Sequence, residues 1–407
     1  STVEHKLNRT IFGPFQEGYA NSQELMDELL AAREVLTSKH QGLFVELLDG
    51  FILKLNIFGF FFASLDVRQD SRKHLKAWED ILKRLERKIP LLNYSDYETW
   101  DEEKQINLIM SLNIPLRDED YDDPTTKDIL GSIRAIKTIQ EKNGEQGAHR
   151  YIISNSTSAL NVLQVFALAR NLNADENGKL SLDVVPLFET VDDLANAPDI
   201  MRKLYENEVY RTHLTNRENH QTIMVGFSDG TKDGGYLRAN WSIYTAKEAL
   251  TKISREYGIK ITFFDGRGGP PARGGGNSHN FYSSLGKDIE DKEIQLTVQG
   301  QTISSNYGTV TTAMYNLERL FSAGLENHLF RGNRKEEELS EADKVLLEEM
   351  AGYAYDSYLD LKGHPQFVKY LDKKTPLRFY GQTNIGSRPT KRGNDDEGLK
   401  FEDLRAI

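Results

Sequence analysis

Short apolar runs alternate with long amphipathic stretches along this chain. Runs rich in Val, Ile or Phe fall at 59–66, 150–154, 182–190, 222–228, 260–266 and 293–299, and each ends in polar residues. Apolar runs of that length, bounded by polar residues, predict buried strands. Between them the apolar positions recur at helical spacing. The stretch 71–88 puts Leu75, Trp78, Ile81, Leu82 and Leu85 on one face, and 157–172 does the same with Leu160, Leu163, Val165, Phe166 and Leu168. A third helix is predicted over 235–257, carrying Trp241, Ile243, Tyr244, Ala246 and Leu250. The stretches 310–323 and 335–361 are also predicted helical, and the acidic 93–123 reads as a loop with one helix. Strand–helix alternation of this kind implies a parallel sheet or barrel.

The expected fold is therefore α/β, a partial (β/α)8 TIM-type barrel, because about six of the eight strands are readable. Helical elaborations are expected at 1–57, 71–148 and 309–380. No Pro- or Ser-rich linker divides the chain, so 1–407 is read as one domain. Both ends fall inside patterned sequence, so the barrel is expected to be truncated at both.

Composition narrows the function. A net charge of −11 argues against nucleic acid or an anionic membrane as partner. Local basic spots at 267–273 and 388–392 suit instead a small anionic ligand held in a cleft. The absence of cysteine removes disulfide and thiolate chemistry and points to the cytoplasm. The longest apolar stretch, around 58–65, is too short to span a bilayer.

In a (β/α) barrel the working residues sit at the C-terminal ends of the strands. Here those ends read Asp66-Val67-Arg68-Gln69-Asp70, Ser154-Asn155-Ser156, Phe188-Glu189-Thr190, Ser228-Asp229-Gly230-Thr231-Lys232-Asp233 and Asp265-Gly266-Arg267-Gly268-Gly269. Carboxylates there suit Mg²⁺ or Mn²⁺, and arginines suit a bidentate hold on phosphate or carboxylate. The segment 266–276, with its glycines and with Arg267 and Arg273, suits close backbone approach to an anion. It is neither a dinucleotide fingerprint nor a P-loop. Each residue also has a plainer role open to it. Asp229 could cap the following helix, Arg68 could pair with Asp66 or Asp70, and the glycine-rich segment could be a surface loop.

The string Phe263-Phe264-Asp265-Gly266-Arg267-Gly268-Gly269…Arg273-Gly274-Gly275-Gly276 resembles the glycine-rich signature of phosphoenolpyruvate carboxylases. Further matches follow in the family's order: Leu65-Asp66-Val67-Arg68-Gln69-Asp70, Tyr151-Ile152-Ile153-Ser154, Pro186-Leu187-Phe188-Glu189-Thr190, Gly226-Phe227-Ser228-Asp229…Lys232-Asp233, Thr297-Val298-Gln299-Gly300 and Gly386-Ser387-Arg388-Pro389-Thr390-Lys391-Arg392. The resemblance implies carboxylation of phosphoenolpyruvate with bicarbonate to oxaloacetate and phosphate. It implies Glu189 and Asp229 as ligands of Mg²⁺ or Mn²⁺, and Arg68, Arg267, Arg388 and Arg405 as phosphoenolpyruvate-binding residues. It places Lys232 near bicarbonate, puts Arg273 on a mobile loop that also reaches an inhibitory dicarboxylate, and suggests a homotetramer.

The chain departs from the family pattern in three ways. The family's opening strands, which carry its catalytic histidine, have no counterpart here, nor do its C-terminal helices. This chain alone is therefore expected to be inactive. Asp265 also stands where most members have histidine. It is expected at the barrel mouth, paired with Arg267. Were it to face bicarbonate unpaired, the protein would be a catalytically silent relative acting as a binding or regulatory module.

Overall fold

The computed structural model describes residues 2–13, 17–87, 94–97, 99–268, 277–298, 301–330 and 339–376. Among them six strands form a single sheet: β1 (Asp66–Asp70), β2 (Arg150–Ser154), β3 (Asp183–Phe188), β4 (His220–Gly226), β5 (Lys260–Gly268) and β6 (Ile294–Val298). Their spatial order is their order in the chain, and every neighbouring pair is parallel. That is barrel winding, with no reversal of strand order. Among the described residues β1 pairs only with β2 and β6 only with β5, so the sheet is a half-barrel.

Helices fill the crossovers, as parallel strands require. Between β1 and β2 lie α4 (Ser71–Glu86), α5 (Tyr94–Tyr97), α6 (Glu102–Ser111) and α7 (Pro124–Asn143). Then come α8 (Ala159–Asn173), α9 (Val191–Glu206) with α10 (Glu208–Asn216), α11 (Ser228–Glu256) and α12 (Ser278–Ser283), one crossover after another. Three helices precede the sheet: α1 (Thr2–Phe12), α2 (Ser22–Lys39) and α3 (Val45–Phe58). Four follow it: α13 (Gln301–Tyr307), α14 (Val310–Phe330), α15 (Glu341–Gly363) and α16 (Phe367–Lys374). No helix among the described residues is long and apolar enough to cross a membrane.

The registers sort the side chains into two layers. Ile152 is opposite Val185, Leu187 opposite Met224, and Met224 opposite Phe264. In-register neighbours point to one face, and these five residues form a buried cluster of their own, the inner wall of the half-barrel. The alternate residues Tyr151, Ile153, Val184, Ile223, Val225 and Phe263 join the main core between the sheet and the helices. The helix stripes read from the sequence meet them there: Trp78, Ile81 and Leu82 of α4 and Leu163, Val165 and Phe166 of α8 are all buried.

Two expectations are corrected. The apolar run at 59–66 is not a strand; α3 runs to Phe58, a turn follows, and β1 begins at Asp66. The apolar residues there form the turn that follows an apolar helix, and short apolar runs carry no period that separates such a turn from a strand. The helix expected from residue 235 begins earlier, at Ser228, with a break at Gly235, where φ is 75° and ψ 169°. Glycine fits that position twice over, because a Cβ would also stand 3.2 Å from the Tyr358 ring. Large apolar side chains stay exposed on the flanking helices, including Leu47 and Phe51 of α3 and Met314, Leu317 and Phe321 of α14.

Candidate functional site

The inner face and the C-terminal strand ends bring together part of the expected set. Arg68 is opposite Ile152 and so points to the inner face. Glu189, two residues past Leu187 and just beyond β3, continues the same alternation. The two meet: Arg68 Nη2 lies 3.0 Å from Glu189 Oε1. They belong to strands separated by β2, a gap of about 9–10 Å at ordinary strand spacing, which the long guanidinium arm bridges. The carboxylates flanking Arg68 are otherwise engaged. Asp66 pairs with Arg150 at 2.7 Å, and Asp70 caps α4 while pairing with Arg72 at 2.6 Å. The plainer reading of Arg68, as a local ion pair within β1, does not hold.

Glu189 is held from behind by its own helix start. Thr190 caps α9 in a capping box with Asp193, whose carboxylate accepts from the Thr190 and Glu189 amides at 3.1 and 3.3 Å. Asp233 reaches across from α11 to accept from the Val191 amide at 3.2 Å. The end of β4 and the first turn of α11 then close on Glu189 from the other side. A Cβ at Gly226 would stand 2.9 Å from Glu189 Cγ and 3.2 Å from its Cα, and one at Gly230 would stand 2.9 Å from its carbonyl oxygen. Asp229 lies between these two glycines, half-buried in the first turn of α11. The N-cap position of that helix is Phe227, so Asp229 is not its cap. Glu189 and Asp229 thus stand on adjoining segments at the same end of the sheet. Among the described residues no group of three or more His, Cys, Asp or Glu side chains is arranged to hold a metal.

Lys232 occupies the short helical piece before the Gly235 break, and α15 pins that piece. The Tyr358 hydroxyl donates to the Lys232 carbonyl at 2.7 Å, and Lys362 Nζ donates to the Asp233 carbonyl at 2.8 Å.

Asp265 departs from its expected place. It is opposite Val225 and follows the outer alternation of Phe263, so it faces the helix layer and not the barrel mouth. Only 1% of it is exposed. Its ion pair is with Lys247 of α11, whose Nζ lies 2.6 Å from Oδ1 and 2.8 Å from Oδ2, while its charge also acts on Arg267. The Tyr282 hydroxyl of α12 donates to the same carboxylate at 2.8 Å. Burial pushes the Lys247 ammonium down from its ordinary range, Asp265 pulls it back, and burial pushes the Tyr282 phenol up. Arg267 is also buried, and its guanidinium carbon lies 4.2 Å from the centre of the Phe281 ring and 5.8 Å from that of Phe227. Arg273, Arg388 and Arg405 lie outside the described residues, as does most of the glycine-rich segment.

Lys247 and Tyr282 lie outside every strand-end motif, and nothing in the motifs themselves marks Gly226 and Gly230 as the residues that face Glu189. A separate cavity of about 900 Å³ lies among α1–α3 and the end of α7, lined by Leu7, Tyr19, Leu25, Phe51, Leu55 and Phe60 among others. Its mostly apolar wall includes none of the strand-end residues, so it is not the site.

A parallel half-barrel wound in chain order, with an arginine–glutamate pair on its inner face, defines a protein of the (β/α)-barrel fold class. A family model described as phosphoenolpyruvate carboxylase matches residues 2–407, and the chain belongs to that family. A phosphoenolpyruvate carboxylase of Corynebacterium glutamicum is 34% identical over 403 residues, covering 96% of this chain and 42% of the relative. A second sequence of that name from the same species is 33% identical over the same coverage. The chain thus spans less than half the length of the curated relatives it matches.

Proposed function

We propose that the full-length protein carrying this chain carboxylates phosphoenolpyruvate with bicarbonate, giving oxaloacetate and phosphate. The observation that carries this reading is the Arg68–Glu189 pair on the inner face, against which the segment holding Asp229 packs through Gly226 and Gly230, in a chain of this family. Bicarbonate oxygen attacks phosphorus and the bridging P–O bond breaks, leaving carboxyphosphate and the enolate of pyruvate. Carboxyphosphate splits to CO₂ and phosphate, and the enolate carbon then adds to CO₂.

The residues here suit the charge that moves. Arg68 is placed to neutralise the phosphoryl or carboxylate oxygens, as a planar fork does well. Glu189 and Asp229 would be the ligands of one divalent cation such as Mg²⁺ or Mn²⁺. Such ions take one or two carboxylates and leave their other positions to water and substrate, so a third protein carboxylate is not needed. The glycines at 226 and 230 let the end of β4 and the first turn of α11, the stretch that carries Asp229, pass close to Glu189. When bound, the cation would supply Lewis-acid stabilisation of the enolate oxygen. Arg68 now satisfies one oxygen of Glu189 and would be shared with substrate once the cation occupies that carboxylate.

Asp265 does not argue for a silent relative, since its charge is matched by Lys247 on the far face of the sheet. Arg267, Arg273, Arg388 and Arg405 remain the further anion-binding arginines implied by the resemblance. The test is a coupled assay for oxaloacetate on the full-length protein. Formation that needs both phosphoenolpyruvate and bicarbonate, and that falls about 10²-fold or more in Arg68→Ala, supports the reading. Its absence in the wild type overturns it. This chain by itself is expected to show no appreciable turnover.

A further inference from the structure

The outer face of β5 carries a buried charged cluster that the carboxylation reading does not use. Lys247 and Asp265 are each about 1% exposed and Tyr282 is 2% exposed. They come from three elements: α11, β5 and α12. We propose that they form a clamp that fastens α12 onto β5 and thereby sets the Arg267 guanidinium, which makes Lys247 a positioning residue for that arginine. The clamp itself stands on geometry alone; only the role of Arg267 in binding phosphoenolpyruvate rests on the carboxylase reading.

Connectivity carries the argument. Asp265 lies two residues before Arg267, and Tyr282 lies on the helix that follows the glycine-rich connection. The 2.8 Å bond from Tyr282 to Asp265 therefore joins the two ends of that connection. Phe281, next to Tyr282, lies between two cations: its ring centre is 4.2 Å from the Arg267 guanidinium carbon and 5.2 Å from Lys247 Nζ. Phe227 packs edge-on against the same ring at 5.6 Å. Where α12 sits decides where Phe281 sits, and Phe281 is the surface on which Arg267 lies. An apolar trio would fill this volume as well. A carboxylate taking two contacts from one ammonium and a third from a phenol fixes direction as well as volume.

The experiment pairs two readouts on Lys247→Met and Tyr282→Phe. The first is tryptic cleavage of the Arg267–Gly268 bond in this chain, compared with cleavage after Lys203 and Arg255, well below Tm. The second is KM for phosphoenolpyruvate in the full-length protein. Losing one hydrogen bond to a charged group should speed cleavage at Arg267 about tenfold relative to the other sites. KM should rise by about the same factor, with kcat changed less than about threefold. Tyr282→Phe strands no charge, so it decides the matter if Lys247→Met fails to fold. Cleavage at Arg267 that rises only in step with the other sites overturns the clamp. An unchanged KM in active variants overturns the positioning role. A wild type without carboxylase activity would sink the functional reading, and the cleavage ratio would still decide the clamp.

Discussion

Gly226→Ala is the sharpest probe of how the fold places Glu189. The added methyl would stand 2.9 Å from Glu189 Cγ and 3.2 Å from Glu189 Cα, against 3.4–4 Å for ordinary contact. Turning the glutamate about its own bonds relieves the first clash and not the second, so the backbone after β3 must shift by a few tenths of an ångström. Overpacking of this kind costs about 1–3 kcal/mol. The Arg68–Glu189 bond would weaken too, but Arg68 is one-third exposed, so that adds at most about 1 kcal/mol. A fall of a few degrees in Tm follows. The effect on chemistry should be larger than the effect on folding, because misplacing a reacting group by about 1 Å can cost about 10²-fold in rate. The assay is kcat/KM for oxaloacetate formation in the full-length protein beside a melt of the same sample. Gly131→Ala is the control: it lies inside α7, a Cβ there meets nothing within 4 Å, and it should gain about 0.5–1 kcal/mol with activity unchanged. A Gly226→Ala protein with wild-type kcat/KM, or with a loss matching only its unfolded fraction, would refute the reasoning.

Other expectations follow from buried charge and from the carboxylate pair. His74 and His213 are buried and pushed down to about 4, chiefly by desolvation. Both stay neutral in the folded protein while the unfolded chain takes up protons near 6.5. Stability is therefore intact above that pH and lost toward pH 4, at up to about 1.4 kcal/mol per pH unit for each histidine. Urea titrations of wild type and His213→Asn at pH 7, 6 and 5 check this, and equal slopes would count against it. Arg217 joins Asp183 at 2.7 Å and Glu145 at 2.5 Å with only 17% of its side chain exposed. Arg217→Met should cost about 2–3 kcal/mol by urea unfolding, mostly through the stranded Asp183, while Asp183→Asn in the same background recovers part of it. In the full-length protein, Mn²⁺ at about a hundred times its Kd should stabilise by about 2.7 kcal/mol, and Glu189→Gln and Asp229→Asn should each abolish that shift in a thermal melt. A shift retained by both variants would place the cation elsewhere.

Legibility in this sequence followed period and neighbourhood. Strands β2 to β6 were readable because each is a short apolar run between polar residues, and α4 and α8 because their stripes hold the helical period over four turns. The run at 59–66 failed because it is the turn that follows an apolar helix and leads into β1, and hydrophobicity without a period does not distinguish such a turn from a strand. The break at Gly235 hid the first turns of α11, since a glycine pair reads as a start signal when it is in fact an interruption. Arg68, Glu189 and Asp229 were legible as strand-end residues, but the Arg68–Glu189 contact and the close approach of the glycines flanking Asp229 to Glu189 were not. Those depend on Arg68 reaching over β2 and on two glycines that admit Glu189.

Asp265 shows most clearly what a motif leaves out. Read along the chain it belongs to the string that ends in Arg267 and the glycines, so it looks like a mouth residue. Read across the sheet it shares the outward face of Phe263 and Val225, and its charge must then be met from the helix layer. The partner is visible in hindsight from spacing. Lys247 falls four residues after Ile243 and three before Leu250, both buried, so it occupies a position on the apolar stripe of α11. A lysine there is costly unless a carboxylate faces it, and β5 is the strand against which that stripe packs. The two charges that looked unrelated, one in a glycine-rich motif and one inside a helix, are each the reason the other is tolerated.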